Sequence, residues 1–65
     1  MKHEIFEHTP GQGDYGTDWK RVMVLANKPT AMRLAADTFT REHKPLRVFT
    51  APVRGVGRMV AEFKA

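Results

Sequence analysis

A chain of 65 residues with 42% hydrophobic and 28% charged side chains has the composition of a single folded domain, residues 1–65, rather than of a disordered segment. It contains no cysteine and no serine, which excludes disulfides, thiolate metal sites and the two commonest nucleophiles together. Its net charge of +4 is uneven: residues 1–19 hold one Lys against four acids, −3, and residues 20–65 hold ten Lys/Arg against three acids, +7. That balance suits an anionic partner, although a solvated basic surface accounts for it equally well.

The first element expected is a strand over about residues 3–9, a short run containing Ile5 and Phe6 and too short for an independent helix. Residues 10–18, Pro-Gly-Gln-Gly-Asp-Tyr-Gly-Thr-Asp, are rich in turn formers and predict a hairpin connection. A second strand is expected over 19–26, with Trp19, Met23 and Leu25 on one face and Val22, Val24 and Ala26 on the other. The clearest element is a helix over about 28–43. Asn27 is its N-cap, Pro29 lies in the first turn where a missing N–H is harmless, and Lys44-Pro45 ends it.

At 100° per residue, Met32, Ala35, Ala36, Phe39 and His43 share the core stripe of that helix, and Arg33, Asp37, Thr40 and Arg41 face outward. Arg33–Asp37 and Asp37–Arg41 have the spacing of helical ion pairs, worth about 0.2–0.5 kcal/mol each. A third strand follows over 46–51, alternating Leu46 and Val48 with Phe49 and Ala51. Residues 52–56, Pro-Val-Arg-Gly-Val, form a second turn. The last strand spans about 57–63, where residues 57–64 also suit a short helix.

The pattern is therefore α+β in the order ββαββ, one amphipathic helix on one face of a four-stranded sheet. Strands two and three are partly apolar on both faces, and a single helix covers only one. The second face calls for another cover: the long loop, a second copy of the chain, or a partner.

Gly11-Gln12-Gly13-Asp14-Tyr15-Gly16 matches the letters of a dinucleotide-binding fingerprint. A strand, not a helix, is expected after it, and position 36 is alanine where an acid would be needed, so a hairpin loop is the reading and no nucleotide cofactor is expected. His3, Glu4, Glu7 and His8 crowd the first strand without a metal-binding spacing, and His3 and His8 fall on opposite faces. His43 reads as a boundary histidine. No metal and no cofactor are expected.

Arg54-Gly55-Val56-Gly57-Arg58 offers a glycine turn between arginines that can fork onto phosphate or carboxylate, and is equally a solubilising turn. In Trp19-Lys20-Arg21 and Arg47-Val48-Phe49, cations adjoin aromatics, the pairing with which sheet surfaces hold single-stranded nucleic acid; core use of Trp19 and Phe49 is the competing reading.

The sequence thus predicts a non-enzymatic basic binding module that contacts nucleic acid through Trp19, Lys20, Arg21, Arg47, Phe49, Arg54, Gly55 and Arg58, with the basic members gathered at one sheet edge. The alternative is a protein-directed accessory or inhibitor protein that masks a larger partner or acts as a homodimer. The absence of cysteine, of an apolar leader at Met1-Lys2-His3-Glu4 and of any run of ~20 apolar residues leads one to expect a soluble, cytoplasmic protein with no membrane partner.

Overall fold

A computed structural model describes residues 1–52 and 54–64. The elements are β1 (Lys2–His8), a 3-10 turn at Asp14–Gly16, β2 (Trp19–Leu25), α1 (Lys28–Glu42), β3 (Leu46–Ala51) and β4 (Arg58–Phe63). The four strands form one sheet in the order β2-β1-β3-β4, and each neighbouring pair is antiparallel. The α+β, ββαββ plan read from the sequence is the architecture, and residues 58–63 are strand rather than helix.

Two hairpins sit side by side, so β2 and β3 run parallel to each other with β1 between them. The helix supplies the crossover that this arrangement requires. It starts at Asn27, whose Oδ1 accepts a 2.9 Å hydrogen bond from the Thr30 backbone N–H and so satisfies an otherwise orphaned donor. It ends at His43, which adopts a left-handed φ of 58° and donates its backbone N–H to the Phe39 carbonyl. His43 is therefore an exposed C-cap and not part of the core stripe. Chain reversal, which the periodic pattern does not encode, moves it off the helix face.

Ala31 and Ala35 are fully buried, and their small side chains let the helix lie close against the sheet. Beneath them Ile5, Leu46 and Val48 form the centre of the core, with Leu25, Met32, Leu34, Phe39, Ala61 and Phe63 packed around it. The Phe39 and Phe63 rings approach to 5.9 Å. Arg33, Asp37 and Arg41 are exposed, as the helix phase predicts. Among the described residues neither i,i+4 pair closes; Arg41 turns instead to Glu42 at 3.7 Å.

Cross-strand register assigns every strand residue to a face. His3, Ile5 and Glu7 of β1 oppose Thr50, Val48 and Leu46 of β3 on the helix side, and His3 is buried with its Nδ1 hydrogen-bonded to the Thr50 hydroxyl at 2.8 Å. Lys2, Glu4, Phe6 and His8 consequently point to the open side. His3 and His8 do fall on opposite faces.

β2 departs from simple alternation. Ile5 opposes Met23 and Phe6 opposes Arg21, which leaves Val22 as the extra residue of a bulge. A one-residue insertion reverses the sidedness of everything before it. Trp19 therefore lies on the open face, away from Met23 and Leu25, and not on their face as unbroken alternation predicts. A second bulge at Val60 lies between Ala61, opposite Val48, and Met59, opposite Phe49. The molecule is a two-layer slab, 28 × 26 × 14 Å, with one sheet face under the helix and the other open.

Candidate functional site on the open sheet face

The residues that meet on the open face come from all four strands. His8 of β1 opposes Trp19 of β2, and their rings lie 4.9 Å apart. The next row runs Arg21, Phe6, Arg47, Glu62, and the following one Val24, Glu4, Phe49, Met59. Across β1 the Arg47 guanidinium reaches back over the Trp19 ring, 3.9 Å from its centre, a cation–π contact worth about 0.5–1 kcal/mol at an exposed site. Phe6 and Phe49 pack edge to face at 5.3 Å.

The arginines of this face are held by carboxylates. Arg47 Nε donates to Glu62 Oε2 at 2.9 Å, and Arg21 Nη1 donates to Glu4 Oε2 at 2.8 Å. The hydrogen bond from Arg47 holds the Glu62 carboxyl below its ordinary value, and the hydrogen bond to Glu4 raises Arg21 further above its own. Both pairs remain partly exposed and are screened by solvent, so neither adds much stability. Their main effect is geometric: Glu62 holds Arg47 as it lies over Trp19, and Glu4 holds Arg21 in the row of Phe6.

The loop before β2 forms one wall. Asp14 Oδ2 accepts from the Arg21 N–H at 2.9 Å, Asp18 Oδ1 accepts from the Gly11 N–H at 2.9 Å, and the Gly13 N–H donates to the Thr17 carbonyl at 2.8 Å. A side chain at Gly13 would collide with the backbone N of Trp19 and the carbonyl of Thr17, so glycine is required there by close approach. The fingerprint-like glycines thus serve a hairpin loop that positions Trp19, and an antiparallel strand follows instead of a helix. The loop reaches the Trp19 end of the face, and Gly57 of the β3–β4 connection lies against Phe49 and the buried Ala51 at the other end, which leaves the middle open among the described residues.

Two adjoining open depressions result, of about 590 and 330 Å³. They share Glu4, Phe6, Thr17 and Trp19; Asp14, Tyr15 and Arg21 complete the larger, and Arg47, Phe49 and Gly57 the smaller.

Of the residues singled out in the sequence, Trp19, Arg21, Arg47 and Phe49 come together here. Lys20 does not: it opposes Glu7, on the helix side of β2. Arg58 opposes Thr50, also on the helix side, on β4 at the far edge of the sheet. Arg54 and Gly55 are exposed in the β3–β4 connection, beyond the Ala51 end of β3, with Gly55 at a φ of 120° that only glycine adopts readily. That connection includes Val53, which lies outside the described residues. The basic residues are therefore divided between two faces and two edges, and the expectation that they gather at one edge does not hold.

Sequence reasoning missed Phe6, His8, Glu4 and Glu62, which complete the face. The alternation Glu4, Phe6, His8 was the available signal. Compared with known protein families, with curated proteins and with solved structures, the chain matches none.

Proposed function

We propose that this protein is a non-enzymatic binding module whose open sheet face holds single-stranded nucleic acid. The observation that carries the reading is the aromatic and guanidinium surface of Trp19, His8, Phe6, Phe49, Arg47 and Arg21, assembled from three strands on a face with no helix over it. Flat π-surfaces accept unstacked bases at about 1–3 kcal/mol each, and guanidinium groups between them are placed for the phosphates that join those bases. The ion pairs temper this: each carboxylate weakens the pull of its arginine on a phosphate, so the aromatic surface and not the paired arginines supplies most of the affinity. The overall charge of +4 adds a sequence-independent attraction.

The test uses the single tryptophan of the chain, which lies in the face itself. Titration with a nine-nucleotide oligo(dT) at low salt should quench its fluorescence, and log K should fall against log salt by about 0.7 per phosphate contacted. No quenching and no anisotropy change of a labelled oligonucleotide at low salt would remove the reading.

One feature favours a protein partner instead: on the edge strand β2, Val22, Met23 and Val24 are 43%, 40% and 48% exposed. An edge with exposed apolar side chains is a pairing template for a second copy or for a strand of a larger protein that this module would mask. A dimeric mass in solution that ignores oligonucleotide and collapses to a monomer on Met23→Lys would select that reading.

A further inference from the structure

Glu4 stands where the two depressions meet, lining both of them. Its side chain is only 14% exposed, its cross-strand neighbours are Val24 and Phe49, and Phe6 lies one row away on the same face. Beyond holding Arg21 in place, an acceptor-only group in the middle of an aromatic surface does nothing for packing. Oε2 accepts from Arg21 Nη1 at 2.8 Å, and a carboxylate has about four lone-pair sites, so acceptor capacity remains.

Joined through Nη1 and Oε2 and lining the larger depression together, Arg21 and Glu4 set a cationic N–H donor next to a two-oxygen acceptor. That order is the complement of one nucleobase edge. Guanine carries, in sequence along its Watson–Crick edge, the O6 acceptor, the N1–H donor and the N2 amino donor. Thymine and uracil place two carbonyl oxygens around a single N–H, and the outer oxygen would face the carboxylate. Cytosine and adenine, in either orientation, set an acceptor, N3 or N1, at the middle of the edge against the carboxylate.

We infer that the Arg21–Glu4 pair is a base-reading element that selects guanine within single-stranded nucleic acid, the base lying against Phe6 and Trp19. This inference rests on the open face being the nucleic-acid surface. Glu4 is then a specificity-determining residue, and its carboxylate costs some non-specific affinity because it repels phosphate.

The experiment compares tryptophan quenching by four nine-nucleotide DNA probes, oligo(dT) and the same run with a central dG, dC or dA. Each good bidentate pair is worth a discrimination of roughly 5- to 150-fold. The dG probe should therefore bind about tenfold or more tighter than oligo(dT), with dC and dA near oligo(dT). A central inosine, which lacks the N2 amino group, should lose most of the gain on the unaltered protein. Glu4→Gln should bring the dG and dT probes to within about twofold of each other. The uridine run with a central guanosine should show the same preference, because the contacts are to the base and not to the sugar. Equal binding of all four probes, or full retention of the preference with inosine, overturns the base-reading role and leaves the surface itself standing. Failure of every probe to bind at low salt overturns the surface reading and this inference together.

Discussion

The two faces of this sheet solve different problems with the same four strands. The helix side is closed and apolar at its centre: Leu46 and Val48 are fully buried under Ala31 and Ala35, Glu7, Lys20 and Arg58 stand at its margins, and the buried His3 is hydrogen-bonded to Thr50. The open side also gathers large rings, but none of Phe6, Trp19 or Phe49 is fully buried, and two ion pairs are threaded between them. These three rings stay partly exposed: Phe6 packs against Phe49, and Trp19 against His8 and Arg47, rather than under the helix.

The difference between the faces is testable by unequal losses. Leu46→Ala should have the largest effect, about 2–5 kcal/mol of stability in a urea or thermal melt, enough to unfold much of the population. A variant that melted like the parent would mean that the core does not lie under the helix. Gly13→Ala forces a methyl group into the backbone of Thr17 and Trp19 and should cost about 1–3 kcal/mol, with a shift in the tryptophan emission because the wall beside it moves. An unshifted emission would detach the loop from the site.

Trp19→Ala should invert that profile. Stability should fall by about 1 kcal/mol or less, the scale of the Arg47 contact, while oligonucleotide affinity drops roughly 5- to 150-fold, read by anisotropy. Large unfolding with unchanged binding would place Trp19 among the core residues. The smallest effect is electrostatic. Because the Arg47 hydrogen bond lowers the folded-state value of Glu62, the stability it brings is present above the usual carboxylate range and is lost as pH falls through the lowered value. Glu62→Gln should therefore flatten the acid limb of the stability curve slightly, at and below the ordinary carboxylate range. Parallel curves for the two proteins would show that the pair contributes nothing.

Much of the closed face is legible from local sequence. Asn27, Pro29 and the 3.6-residue stripe through Met32, Ala35 and Phe39 specify the helix and its inner side, and turn residues between β-branched and aromatic runs specify the two hairpins. The open face is less so, because it depends on register. Strict alternation sends Trp19 to the side of Met23; the bulge at Val22, an effect of pairing between distant residues, sends it to His8. Arg47 stands out in the sequence as a cation near Phe49, but its place over Trp19 depends on a strand order that no short window reveals. Arg58, equally basic in the sequence, is carried to the other face by the same rules.

Backbone and indole N–H chemical-shift mapping with the dG-containing nine-nucleotide probe separates the open face from the helix side and the β2 edge as the contact surface. The Trp19 indole and the amides of Glu4, Phe6, Arg47 and Phe49 should shift together in one salt-sensitive titration, while Ala31, Ala35 and Phe39 stay in place. Shifts confined to Val22–Val24, to the helix or to the Arg54–Gly55 turn, with the Trp19 indole unmoved, would exclude the open face.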